Sequence, residues 1–225
     1  LPPDNQFALE HTMASLCLLQ DDRVKTEEIC RNILEKDPEN RQALRSMVRL
    51  SVAEGALNKA KTWLDRMQKA GMTQNQLGIE WAAIHLTAGE SALVDKKLDA
   101  ASASFALARQ KLQETIDLVP NHIQALGLLA VVQLQQSELE RAARRDPAPF
   151  LKEVDQTIDR MDKIDKAGVS SGQYFIQVVK AQLNMSKGKE YYRAAREAFI
   201  HASILRPDMP RLNDLILQLD IALAD

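Results

Sequence analysis

Apolar and polar positions along this chain follow a helical period, and the pattern restarts after each turn signal. Thr26, Cys30 and Ile33 stand at spacings of four and three before Pro38, and Ala60, Leu64 and Met67 repeat the spacing before Gly71. Ala108, Leu112 and Thr115 repeat it before Pro120, Thr157, Met161 and Ile164 before Gly168, and Ala195, Phe199 and Ala202 before Pro207. Residues so spaced share one stripe of a helix, so each set predicts an amphipathic helix with a single buried face. Small side chains in such a stripe let two antiparallel helices approach, and larger ones fill the space between them.

The turns carry their own signals. Pro3 is followed by Asn5, Ala8 and Leu9, Pro38 by Asn40, Ala43 and Leu44, and Pro120 by Asn121, Ala125 and Leu126. That order predicts a helix stop, a polar turn whose Asp, Asn or Glu caps the next helix, and a first buried residue about one turn in. A longer internal match aligns "KAGMTQNQLGIEWAAIHL" (69–86) without a gap on "KAGVSSGQYFIQVVKAQL" (166–183). The glycine of each Lys-Ala-Gly ending is placed to close the preceding helix in a left-handed conformation.

Five helix pairs are therefore expected, at about 6–37, 41–71, 73–119, 121–167 and 170–206, with a last helix at 208–224. That last helix keeps Leu212, Leu215, Ile216 and Leu219 on one side, while Ile221 and Leu223 broaden its apolar surface. The third and fourth pairs are longer than the first two, with extra residues near Ser91 to Ser104 and near Ser137 to Pro149. The second of these, "SELERAARRDPAPF", is read either as a protruding loop that touches a partner or as a longer connection between helices.

The A-x3-F-x2-A-x4-P spacing of Ala195, Phe199, Ala202 and Pro207 resembles the second helix of the tetratricopeptide repeat (TPR), and the other four stripes keep that spacing with changed residues. The family period is about 34 residues, which the first two units fit. The resemblance runs over nearly all of the chain. It implies an all-α fold: an α-α superhelix, a right-handed solenoid of about five helix pairs with a C-terminal capping helix, as a single domain over 1–225. In such proteins the first helices of the pairs line the concave surface, so their non-core positions become candidates for a peptide or protein partner. Those candidates are Arg45 and Arg49 as a basic spot for a carboxylate or acidic peptide, and Gln76 and Glu80 on the third pair. Gln173, Gln177, Lys180 and Asn184 join them as a polar stripe on the fifth. Family members that grip a C-terminal carboxylate use Lys and Asn on adjacent first helices, and this chain lacks a clear matching set.

Composition agrees with helices and narrows the function. Of 225 residues, 45% are hydrophobic, 27% charged and only 4% aromatic, with 8 Gly and 8 Pro, so strong helix formers dominate. A net charge of −2 and a pI near 6.1 supply no basic field for nucleic acid. The longest apolar run, 125–132, is far short of the roughly 20 residues that span a bilayer. The start at Leu1, without initiator Met or signal-peptide plan, is read as that of an excised fragment of a longer protein or of a mature form, and no compartment is assigned. Cys17 and Cys30 are too few for a disulfide framework and are expected as buried thiols.

Chemistry is scattered rather than convergent. His11, His85, His122 and His201 lie on separate units without metal-ligand spacing, and no phosphate-cradling or nucleophile-elbow motif occurs. The carboxylates of "EVDQTIDRMDKIDK" alternate with Lys and Arg as on a solvated face. Asn184 formally opens an Asn-Met-Ser sequon at a helix end, and Trp63 and Trp81 are expected in packing between units. No cofactor and no enzymatic activity are expected. The leading expectation is a noncatalytic protein-interaction scaffold or adaptor. The alternative is a regulatory or assembly segment of a larger enzyme or a bacterial envelope-secretion complex. Self-association through exposed ends of the stack is a further expectation, because truncated repeat arrays leave apolar faces open.

Overall fold

The computed structural model describes residues 7–19, 22–166, 172–207 and 211–224. Eleven α-helices and no strand occur among them, and the chain divides into two compact units, 1–87 and 88–225. The helix pairs and the last helix fall where the apolar stripes place them.

The first unit holds α1 (Ala8–Leu19), α2 (Arg23–Lys36), α3 (Arg41–Ala53), α4 (Leu57–Lys69) and the beginning of α5 (Gly78–Val94). Each helix packs on its neighbour in sequence, α1 on α2, α2 on α3 and α3 on α4, and α1 also reaches α3. The core between them contains Ile33, Leu44, Met47, Leu50, Leu64, Met67, Leu77 and Ile84, with Trp63 and Trp81 packed against it. Local chemistry sets the ends: the Asp22 carboxylate accepts from the Lys25 N–H at 3.1 Å, and the Asn40 side chain accepts from the Ala43 N–H at 3.1 Å. At the C-terminus of α4, Gly71 takes φ +83, its N–H donating to the Gln68 carbonyl and the Met72 N–H to the Met67 carbonyl. That is the glycine closure expected of Lys-Ala-Gly, and Gly55 closes α3 in the same way with φ +71. Its counterpart at Gly168 lies outside the described residues, as do Pro3 and Asn5.

The second unit continues with the end of α5, α6 (Leu98–Leu118), α7 (Ile123–Ala142), α8 (Ala148–Lys166), α9 (Gln173–Lys187), α10 (Tyr192–Leu205) and α11 (Arg211–Ala224). Contacts again join consecutive helices from α6 to α11, and α7 also touches α9. Every residue of the five stripes is buried, from Thr26 and Cys30 to Phe199 and Ala202. Gly89 shows how close two helices come: a Cβ there would lie 2.4 Å from the Phe105 ring, so only glycine lets that fully buried ring lie against α5.

The extra residues of the third and fourth pairs are neither a protruding loop nor a long connection. They lengthen the helices: α5 to α8 have 17, 21, 20 and 19 residues, whereas α1 to α4 have 12, 14, 13 and 13. The connections stay short, at 95–97 and 143–147. Both use a residue with positive φ that is not glycine, Lys96 at 60° and Arg144 at 58°. After Pro120 the capping position falls on His122, without a side-chain cap bond, rather than on Asn121.

Candidate functional site

In the first unit, α3 presents Arg45, Val48, Arg49 and Val52 at helical spacing of three, four and seven, and α5 presents Ile79, Glu80 and Ala83. Val48, Arg49, Val52, Ala53, Ile79, Glu80 and Ala83 line a cleft of about 200 Å³ between the two helices. Its walls are mostly aliphatic, and its polar groups are concentrated on two residues. The structure thus brings together three of the candidate residues named above, Arg45, Arg49 and Glu80.

These three differ in state. Arg45 Nε stands 2.6 Å from Glu80 Oε1, a close ion pair in which the N–H is not aligned on the oxygen. Glu80 is only 4% exposed, and its second oxygen, Oε2, is buried without a hydrogen-bond partner among the described residues. Arg49 is exposed by surface area, yet its guanidinium is crowded by surrounding protein atoms. Their desolvating effect lowers its pKa, opposed by the Glu80 charge and reinforced by Arg45. It forms no hydrogen bond or ion pair with another described residue. Two arginines against one glutamate leave one positive charge uncompensated. Oε2 is sealed from solvent, so it is a buried unsatisfied acceptor of the kind that costs about 1–3 kcal/mol, and Arg49 is the charged group the cleft presents outward.

Gln76 lies apart from this cleft. Its side-chain oxygen accepts from the Thr73 N–H at 2.9 Å while its own N–H donates to the Thr73 hydroxyl at 3.4 Å, a reciprocal cap on the turn Gln74–Leu77 that leads into α5. Nearby, the Trp81 and His85 rings stack at 6.1 Å.

The stripe on α9 in the second unit faces a different kind of surface. Gln177, Lys180 and Asn184 line a groove of about 460 Å³ whose walls are the second helices α8 and α10. Lys180 pairs with Asp162 at 2.8 Å, and Gln173 donates to Asp165 Oδ2 at 2.6 Å. The groove is polar and open, with Asp159 on one wall and Glu197 and His201 on the other. Helices that align without a gap in sequence therefore turn equivalent stripes toward different neighbours: Glu80 toward α3, Gln177 toward α8 and α10.

Sequence reasoning singled out the charges of the α3–α5 cleft and missed its aliphatic walls. Val48, Val52 and Ile79 resemble ordinary core positions in the sequence; Val48 is one, at 1% exposure, whereas Val52 and Ile79 are only half-buried and leave an apolar strip on the cleft wall. Cys30 is fully buried, its pKa pushed up to about 11 by burial against a smaller opposing hydrogen bond with Ser46, which leaves it an inert thiol. Among the described residues no helix is long and apolar enough to cross a membrane. No protein-family model, no curated protein and no solved structure matches the chain.

Proposed function

We propose that this chain is a noncatalytic scaffold or adaptor of the tetratricopeptide kind, a right-handed solenoid of helix pairs closed by a capping helix, and that it binds a protein or peptide partner. The support for the repeat reading is that every stripe residue is buried and that consecutive helices pack on one another from α1 to α4 and from α6 to α11. The observation that carries the binding reading is the α3–α5 cleft: aliphatic walls beside an exposed Arg49 that has no hydrogen bond or ion pair with another described residue. A partner segment fitting it places an aliphatic side chain against the half-buried Val52 and Ile79 and an acidic group or carbonyl on Arg49.

Selection of displayed random peptides on the purified chain tests this. The enriched peptides should carry an aliphatic residue next to an acidic one, and their affinity should fall by about tenfold or more on Arg49→Glu, a loss of roughly 1.4 kcal/mol. Peptides that bind the wild type, Arg49→Glu and Ala83→Arg chains equally well would place recognition elsewhere and overturn the reading.

A further inference from the structure

The groove of the second unit runs past its polar part into an aliphatic end. Gln177 and His201 line both the groove of about 460 Å³ and an adjoining hollow of about 280 Å³, whose remaining walls are Gln173, Ile204 and Leu205. On α10, Glu197, His201 and Ile204 follow one another at four and three residues, so an acid and an aliphatic group share one helix face. Ile204 is 71% exposed and Leu205 48%, and Asp159 and Glu197 are exposed as well, so all four are open to a ligand. Four carboxylates face two lysines in the groove. Lys180 pairs with Asp162 at 2.8 Å and Lys187 with Asp155 at 3.3 Å, which joins α9 to α8 and compensates those charges. Asp159 on α8 and Glu197 on α10 form no hydrogen bond or ion pair with another described residue, and Arg196 beside Glu197 is held by Asp220. Each wall therefore keeps one uncompensated negative charge.

We propose that this groove is a second docking site, for an extended segment of a partner protein that carries an aliphatic side chain three residues from a Lys or Arg. Seven residues of α10 separate Glu197 from Ile204, about 10 Å of helix, and three residues of extended chain span about the same length. The aliphatic side chain then covers Ile204 and Leu205, which removes apolar surface from water on both sides. The cation lies between the walls, where Glu197 and Asp159 both attract it. Gln177 and Asn184 stand two turns apart on the floor and form no hydrogen bond with another described residue, so their amides offer donors and acceptors to the backbone of the segment. Charge decides which segments enter: an acidic one that suits Arg49 in the first unit meets two carboxylates here and is repelled. The site does not depend on the α3–α5 cleft, and it gives the chain two docking surfaces of opposite charge preference, one in each unit.

Titration of the full chain with synthetic peptides, followed by amide NMR, tests the proposal. The probe carries leucine and arginine three residues apart, in either order, on a background of glycine, serine and alanine; its counterpart carries glutamate in place of arginine. The arginine peptide should bind saturably and shift amides of α8, α9 and α10, and the glutamate peptide should bind about tenfold more weakly or less. Asp159→Lys, Glu197→Lys and Ile204→Ser, all at exposed positions, should each weaken the arginine peptide by about fivefold or more. The double variant Asp159→Lys/Glu197→Lys should invert the preference and take the glutamate peptide more tightly. Asp214→Lys, the same charge change at an exposed position of α11 outside the groove, should leave binding as it is. Circular dichroism melts identical to wild type confirm that the variants fold. Absence of saturable binding, equal binding of the two peptides, or an equal loss on Asp214→Lys overturns the proposal. Acidic segments report on the α3–α5 cleft and basic ones on this groove, so either reading can fail without the other.

Discussion

At the scale of single residues, the cleft shows how a charge acquires meaning from its neighbours. Arg45 and Arg49 are one turn apart and look equivalent in the sequence, yet Arg45 is paired with Glu80 and Arg49 is not. Arg45→Ala would leave a carboxylate that is 4% exposed without its counter-ion. Because Arg45 itself is partly solvated, the expected loss is about 1–3 kcal/mol rather than the larger cost of breaking a fully buried pair. Urea unfolding of Arg45→Ala against the double variant Arg45→Ala/Glu80→Gln checks this, since removing the stranded charge should recover part of the loss. Glu90 makes the opposite case. Burial alone raises its pKa, with no cation beside it to compensate. A folded-state pKa above the unfolded one means that the native protein holds the proton more tightly. Glu90 therefore subtracts stability at neutral pH, and the penalty vanishes as pH falls below the unfolded-state value. Glu90→Gln is expected to unfold at higher urea than wild type at pH 7, with the two midpoints converging near pH 3.

At the scale of the helix and its turns, the stripes were legible because burial acts on whole helix faces. Thr26, Cys30 and Ile33 or Ala195, Phe199 and Ala202 need no knowledge of the partner helix to be placed inside. The lengthening of α5 to α8 was less legible: 91–104 contains neither Pro nor Gly, so nothing local marks where α5 stops. The turn there is set by the left-handed residue Lys96, and Arg144 does the same between α7 and α8. Both close the helix as Gly55 and Gly71 do, with the residue that follows donating five positions back, Lys97 to Ala92 and Arg145 to Glu140. A side chain at positive φ costs about 1 kcal/mol, so Lys96→Gly and Arg144→Gly should each raise stability by about 0.5–1 kcal/mol. A lower melting midpoint for either would show that those turns depend on the side chain and not on the backbone. The register of the cleft was legible only in part: spacing put Glu80 and Gln177 on matching helix faces, but which neighbour each face meets depends on packing that the gapless alignment does not encode. Gly89→Ala tests packing where α5 meets the Phe105 ring of α6. The added methyl meets the Phe105 ring, and the expected cost is about 1–3 kcal/mol. Phe105→Leu should recover some of it in the double variant, because the smaller side chain vacates the contested space.

At the scale of the whole molecule, the pattern of contacts governs how stability is distributed. From α1 to α4 and from α6 to α11 each helix touches the next in sequence, so loop closure is local in each unit and folding does not wait on distant pairings. Stability then resides in successive interfaces, and a helix at the end of a unit contributes through one side only. In the second unit that helix is α11, whose Leu212 and Leu219 join Ala181, Ala195, Ala198, Phe199 and Ala202 in one cluster. Ending the chain at Pro207 removes α11 and exposes the α10 side of that cluster. The lost burial of Leu212, Leu215, Ile216 and Leu219 is offset by the ordering entropy of the residues that no longer need to fold, leaving a net loss on the order of a few kcal/mol. The shortened chain is expected to melt at lower temperature and to bind the dye ANS, because Phe199 and its alanine neighbours are no longer shielded. Hydrogen exchange should locate the loss in α9 and α10, while amides of α2 to α4 in the first unit keep their protection. Unchanged melting and exchange would show that α11 is not a structural member of the cluster, whereas loss of protection in α2 to α4 as well would show that the effect is not confined to its interface.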